Sequence, residues 1–327
     1  MIKMLMFDIK ESEEKFLNTY DTSDYEITYF KESLNKDTKL SVKECDETAI
    51  ISVFITSKIT KEVLEKFKNL RIIVTRSICY SHIDLEECRK RNIAVINATD
   101  YARDSVSQFV ISMIFNLTRN IIKATNNVKE GVSQFEKYEG VNIENLTLGV
   151  IGTGSIGGAV CELAHKLGMK IYATDFIINN DISDFVQYVP FNDVLRLSDI
   201  VTLHIPYTKD YYHLFSDKQF EIMKETSYII NVSKEEFIDH TALYKAIKTK
   251  KIKGGAIDII IEEKDIFNLS ADDMKEILVR QKLTELPEII VTPRIAYDTK
   301  ESLENILISN FHDIKNNFSG QKSNRVV

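Results

Sequence analysis

The run Leu148-Gly149-Val150-Ile151-Gly152-Thr153-Gly154-Ser155-Ile156-Gly157 leaves few conformations open to the middle of this chain. An apolar stretch leads into glycines spaced G-x-G-x-x-G at Gly152, Gly154 and Gly157. In a strand–turn–helix with this spacing, the first glycine permits a tight turn and the second lets backbone approach a pyrophosphate. The third lets the helix pack close to the sheet. Ser155 and Ile156 open a helix whose free N–H groups and positive dipole end suit phosphate. A helix over Ala159 to Leu167 puts Val160, Leu163, Ala164 and Leu167 on one face, and Lys170 to Asp175 reads as a strand ending in an acid. An acid about 20 residues past the turn suits the ribose hydroxyls of NAD and repels the extra phosphate of NADP. Gly152, Gly154, Ser155, Ile156, Gly157 and Asp175 are therefore the candidate NAD(H) site, with NAD preferred over NADP.

A length of 327 residues suggests two domains, each able to bury its own core. A net charge of −7 without a basic stripe argues against a nucleic-acid surface. No apolar run reaches the roughly 18 residues of a membrane span, and Met1 to Phe7 is too short for a signal peptide. The four cysteines, Cys45, Cys79, Cys88 and Cys161, form no CxxC pair and read as free thiols in a reducing, cytoplasmic compartment. The six histidines show no metal spacing, so no metal is expected.

Taken in order, Met4 to Phe7, Tyr25 to Phe30, Ala49 to Phe54, Arg71 to Thr75 and Ile93 to Asn97 read as strands. Thr60 to Phe67 and Leu85 to Arg91 read as short helices between them. This alternation predicts a parallel α/β sheet. A long helix follows over Asp104 to Val128, with an apolar stripe at Val106, Phe109, Val110, Met113, Ile114 and Leu117 and caps at Asp104 and Ser105. Beyond Asp175, strands are expected at Ile200–His204, Tyr228–Val232, Gly255–Ile260 and Ile289–Thr292. Helices are expected at Asn192–Leu197, Asp217–Met223, His240–Lys248 and Glu301–Phe311, the last returning to the first domain. The fold class is α/β, with two doubly wound parallel-sheet domains. Residues 1–100 plus 299–327 form one domain and 101–298 the NAD-binding one.

Several further stretches carry a resemblance. They are Thr75-Arg76-Ser77-Ile78, His82-Ile83-Asp84, Asp104-Ser105-Val106, Tyr188-Val189-Pro190-Phe191 and Ser198 through Pro206. Ile230-Asn231, Gly255-Ala256-Ile257-Asp258 and Val291-Thr292-Pro293 complete the set. With the glycine turn, they make the chain similar to the D-2-hydroxyacid dehydrogenases, and most of all to the vancomycin-resistance type of D-lactate dehydrogenase. The resemblance implies NAD in the larger domain, a homodimer, and reduction of a 2-oxoacid by hydride from NADH. It places a small anionic ligand in the interdomain cleft. It implies a substrate loop at Ser77, Ile78 and Cys79, cleft tyrosines at Tyr101 and Tyr297, and cofactor contacts at His204, Pro206, Ser233 and Asp258. A purely structural role for His204 reads equally well.

Three positions depart from that pattern. The family's arginine follows Ile-Asn-x-x, where this chain has Lys234. Its glutamate stands three residues after the aspartate of the G-A-x-D strand, which here is Ile261, with Glu262 and Glu263 one and two residues late. Its histidine follows Thr-Pro, where this chain has Arg294. A substrate-loop glycine is also replaced, by Cys79. Arginine holds its proton at any physiological pH, isoleucine orients no imidazole, and lysine lacks the bidentate fork. Three readings follow. The chain is an NAD(H) binder whose standard reaction is lost or slow; or an oxidoreductase redirected by Lys234 and Arg294 to another anionic carbonyl or imine; or an NADH-responsive regulatory protein.

Overall fold

Short runs of isoleucine, valine and leucine become strands because their branched side chains fill both faces of a parallel sheet. The computed structural model describes residues 1–99, 101–132, 138–259 and 271–327, and the chain divides into Met1–Tyr101 with Asp298–Val327, and Ala102–Tyr297.

The first unit runs β1 (Ile2–Met6), α1 (Glu11–Leu17), β2 (Tyr25–Tyr29), α2 (Val42–Glu47), β3 (Ile50–Val53), α3 (Lys61–Leu64), β4 (Ile72–Thr75), α4 (Leu85–Lys90) and β5 (Ala94–Asn97). All its strand pairs are parallel, in the order β2-β1-β3-β4-β5. Alternate residues face opposite ways: Leu5, Ile51, Ile73 and Val95 enter one core, and Met4, Ile50, Ile72 and Ala94 the other. Neither α1 nor α2 carries an apolar stripe, which is why the sequence reading has no helix there. Both are capped instead, α2 by the reciprocal pair Ser41 and Glu44.

The second unit begins with α5 (Arg103–Thr118) and α6 (Ile121–Lys129), then β6 (Thr147–Ile151), α7 (Ser155–Lys166), β7 (Lys170–Thr174), β8 (Val186–Tyr188) and α8 (Phe191–Leu197). It continues through β9 (Ile200–Leu203), α9 (Asp217–Ile222), β10 (Tyr228–Asn231), α10 (His240–Lys248), β11 (Gly254–Asp258), α11 (Ala271–Thr284) and β12 (Ile289–Thr292). Its strand order is β12-β11-β10-β9-β6-β7-β8, again all parallel. Two cores cover the sheet: Leu148, Val150 and Ile230 pack with α5 and α7, and Val201, Leu203 and Ile257 pack with α8, α9 and α10. The last helix, α12 (Lys300–Phe318), belongs to the first unit, where Leu307, Phe311 and Ile314 enter the core. The chain end then follows β5, with Val326 N–H on the Val95 carbonyl at 2.7 Å.

The expected single helix over Asp104 to Val128 is two. Asn120, at φ 53°, takes the left-handed conformation that asparagine tolerates, and the Thr118 carbonyl accepts from Val141 N–H instead of continuing the ladder. The expected caps are also corrected. Ala102 is the N-cap, Asp104 lies within the first turn, and Ser105 donates to the Ala102 carbonyl. On α7 the buried face is built from Gly157, Val160, Cys161 and Ala164, whereas Leu167 is the C-cap and is exposed. The three-residue β8 is too short to carry a period.

Candidate functional site

In the second unit the strand order reverses between β6 and β9, and parallel α/β sheets bind ligands outside the carboxyl ends of their strands at such a point. The chain leaves β6 through Gly152 at φ +90°, its N–H on the Thr174 carbonyl at 2.9 Å. A side chain on Gly152 would meet the His204 carbonyl oxygen at 2.7 Å, and one on Gly157 would strike the Gly152 carbonyl oxygen. A side chain on Gly154, the N-cap of α7, would meet nothing within 4 Å. Two glycines therefore let backbone pass backbone, and the third leaves open space before the unbonded N–H groups of the first helical turn, which Ser155 and Ile156 begin.

Asp175 ends β7 one register position beyond Thr174, which pairs with Ile151. Its Oδ2 accepts from Thr153 N–H at 2.6 Å and from the Thr153 hydroxyl at 3.2 Å, and its Oδ1 from Ile177 N–H at 3.3 Å. The acid is exposed and leans over the glycine turn, a placement that suits the ribose of a bound dinucleotide.

His204 ends β9, its N–H on the Ile151 carbonyl and its Nε2 3.0 Å from the Thr202 hydroxyl. The residue keeps some solvent contact, yet desolvation of the ring pushes its pKa down to about 3, so the imidazole is neutral near pH 7. Unfolded histidine titrates near 6.5, so between those values the unfolded chain binds a proton that the folded chain does not. Stability therefore falls as pH falls through this window, by at most about 1.4 kcal/mol per pH unit. His204→Gln is expected to flatten the decline of Tm between pH 6 and pH 4, measured against wild type in the same buffers. Pro206, two residues on, is exposed.

Strands β10 and β12 lead into the loops that carry Lys234 and Arg294 at the carboxyl edge of the same sheet. After β10, Asn231 folds the loop back: its Oδ1 accepts from Ser233 N–H at 3.0 Å and its Nδ2 donates to the Lys234 carbonyl at 2.8 Å. Ser233 in turn donates to the Leu203 carbonyl at 2.9 Å. An asparagine closing its own turn is a recognisable sequence signal, and here it sets the loop that carries Lys234. After β12, Asp258 holds the turn. Its buried carboxylate accepts from the Thr292 hydroxyl at 2.6 Å, Ile295 N–H at 2.9 Å and Ala296 N–H at 2.8 Å. Arg294 is thereby held at φ 53°, unusual for a residue with a Cβ, with Tyr297 just beyond. The implied cofactor contact at Asp258 is thus first of all an anchor for Arg294. Ile261, Glu262 and Glu263 lie outside the described residues.

The first unit presents its own carboxyl edge. Arg76 is fully buried, with Nε on Glu13, Nη1 on the Ser52 hydroxyl, and Nη2 on the Phe7 and Asp8 carbonyls. Ser77 is buried and donates to the Cys79 carbonyl, while Ile78 is exposed. Cys79 stands 3.1 Å from the Ser81 hydroxyl and lies outside the left-handed region, so this loop seats a cysteine in the glycine's place without backbone strain. Tyr101 closes the segment, half-buried. All four cysteines are free thiols, and burial pushes Cys88 up to about 11 and Cys161 up to about 12. Among the described residues no acid, histidine and cysteine cluster suits a metal, and no helix is long and apolar enough to cross a membrane.

Residues 111–296 match the model of the NAD binding domain of D-isomer specific 2-hydroxyacid dehydrogenases. The chain belongs to this family. An aromatic 2-oxoacid reductase of Clostridium sporogenes is 30% identical over 313 residues, covering 94% of this chain and 93% of its own length. A glyoxylate reductase of Korarchaeum cryptofilum is 30% identical over 92% of this chain and 89% of its own. Among solved structures, a D-lactate dehydrogenase of Aquifex aeolicus complexed with NAD and lactic acid superposes with a TM-score of 0.78. It is 29% identical and covers 97% of this chain and 96% of its own. Two doubly wound parallel sheets are the fold this family shares.

Proposed function

We propose that the chain binds NADH at the carboxyl edge of its second sheet, prefers it to NADPH, and performs the family's 2-oxoacid reduction slowly or not at all. The glycine turn and Asp175 fit the nucleotide. Gly154 leaves open space where a pyrophosphate needs close backbone, and Asp175 Oδ1 carries one long hydrogen bond and has lone-pair capacity for a ribose hydroxyl. NADH, when bound, supplies a hydride for a carbonyl carbon. The chain must then supply a proton to the carbonyl oxygen, a fixed grip on the substrate carboxylate, and an acid to orient the donor.

One observation supports the loss above all others: the residue after Thr292-Pro293, where the resemblance puts the proton donor, is Arg294, and Asp258 clamps the turn that carries it. A guanidinium does not release its proton near neutral pH. Losing a general acid alone costs about 10²–10⁴ in rate. Lys234 keeps a charge without the planar fork, and an isoleucine stands at the glutamate's place. The direct experiment is an NADH titration, followed by NADH oxidation on 2-oxoacids. Binding without turnover is expected, and brisk turnover overturns the reading.

A second reading, redirection to another anionic carbonyl or imine, is favoured by the charges at this edge. Among the described residues neither Lys234 nor Arg294 has an ion-pair partner, and the neighbouring Glu235 pairs with Arg280 at 3.1 Å. Two cations without an acidic partner among the described residues attract an anionic ligand. Turnover of a carboxylate-bearing carbonyl or imine outside the simple 2-oxoacids would establish it. A homodimer is supported by α6, none of whose residues is buried and whose Ile121, Ile122 and Val128 are exposed.

A further inference from the structure

The carboxylate of Asp175 is the end of a hydrogen-bond chain that passes through the glycine motif at Thr153 and runs beyond it. Asp175 only accepts, so the Thr153 hydroxyl gives its proton to Oδ2. That hydroxyl has no second proton, so the Tyr188 hydroxyl, 2.9 Å away, donates to it. Tyr188 oxygen in turn accepts Asn179 N–H at 3.1 Å. The order Asn179, Tyr188, Thr153, Asp175 therefore runs one way, every donor aimed toward the negative charge, and bonds aligned in series reinforce one another. Asn179 closes the ring by donating from Nδ2 to the Thr153 carbonyl at 3.0 Å. Thr153 itself is buried, and the Tyr188 ring packs against the core under α7, so the chain has a rigid base.

The consequence lies in the two oxygens of Asp175. Oδ2 takes both Thr153 bonds, whereas Oδ1 takes one long bond from Ile177 N–H. The relay thus biases the rotation of the carboxylate and leaves Oδ1, with its single long bond, as the oxygen with spare lone-pair capacity. We propose that Tyr188 is a positioning residue for cofactor choice: through Thr153 it holds Asp175 in the one pose that accepts from a ribose hydroxyl and faces a 2′-phosphate with negative charge. This rests on the reading that the chain binds NADH, and it adds the residue that makes the binding selective. Without the Tyr188 hydroxyl, the Thr153 hydroxyl loses the donor that orients and polarises it, and its bond to Asp175 Oδ2 weakens, while the Thr153 and Ile177 N–H groups still hold the carboxylate less strictly. NADH then loses a preorganised bond, and NADPH loses part of its repulsion. A structural role for Tyr188 would weaken both nucleotides equally.

The test is equilibrium titration with NADH and with NADPH, read by nicotinamide fluorescence in a chain that has no tryptophan. The proteins are wild type, Tyr188→Phe and Thr153→Val, with each substitution repeated on Asp175→Ala. The ratio of the NADPH to the NADH dissociation constant is expected to fall about fivefold in both single variants, the scale of one hydrogen bond. It is expected not to move further on Asp175→Ala. Thr153→Val keeps the β-branched shape and decides the matter if Tyr188→Phe does not fold. An unchanged ratio, an equal loss for both nucleotides, or the same fall without Asp175 overturns the proposal. A wild type that binds NADH with the ratio unmoved by either variant overturns the relay alone. A wild type that binds neither nucleotide overturns the NADH reading and the relay with it.

Discussion

Gly157→Ala is expected to abolish NADH binding and destabilise the second unit, while Gly154→Ala is expected to abolish binding and leave stability unchanged. The two glycines stand three residues apart in one motif, yet their surroundings differ. A Cβ on Gly157 would overlap the Gly152 carbonyl oxygen and lie 3.1 Å from His204 Cβ. The first obstacle is backbone, itself pinned by Gly152 N–H on Thr174 and by the close passage of His204. No flexible side chain can move aside, so the turn must open, at a cost of about 1–3 kcal/mol or more. Gly154 meets nothing within 4 Å. Its Cβ would fill only the space offered to a pyrophosphate, and stability should stay within about 0.5 kcal/mol. Thermal unfolding and NADH titration of both variants separate the roles. A Gly157→Ala protein as stable as wild type, or a Gly154→Ala protein with wild-type affinity, would contradict them.

Arg76→Met is expected to be the most damaging single change in the first unit. The guanidinium is buried with Glu13, whose side chain is 4% exposed, and it also donates to the Ser52 hydroxyl and the Phe7 and Asp8 carbonyls at the ends of β1 and β3. Removing the cation leaves a buried carboxylate whose remaining donor among the described residues is the Lys10 N–H. Breaking one side of such a pair costs about 3–5 kcal/mol, whereas replacing both sides with apolar groups is far milder. Urea unfolding should therefore show a large fall in midpoint for Arg76→Met and partial recovery in Arg76→Met with Glu13→Leu. A single variant within about 1 kcal/mol of wild type would show that the pair is not what holds these strand ends.

What could be read in advance follows from how local each cause is. The glycine turn, α7, β7 and Asp175 are legible because their chemistry lies within one strand–helix–strand unit. The break at Asn120 is not, because it depends on Val141 bonding Thr118 from beyond the helix. α2 was legible in principle through Ser41 and Glu44, but its single buried residue, Cys45, gives no periodicity. The clamp on Arg294 joins Asp258 to donors 34 to 38 residues away, and the Tyr188 relay spans 35. Motif spacing carries no trace of bonds that only the folded sheet creates. Arg294 itself shows the complementary case. Its chemistry was evident from the sequence, but its left-handed backbone, held by Asp258, is a property of the fold alone.

The central claim is that a sound NADH-binding scaffold carries a silenced reductive centre. It is tested most directly by NADH oxidation across a panel of 2-oxoacids, with wild type beside Lys234→Arg, Ile261→Glu, Arg294→His in one chain. Wild type is expected to be silent or slow and the triple variant faster by at least about 10²-fold, the lower range of a restored general acid. Brisk turnover by wild type would contradict the claim, because a proton donor other than these three positions would then be at work.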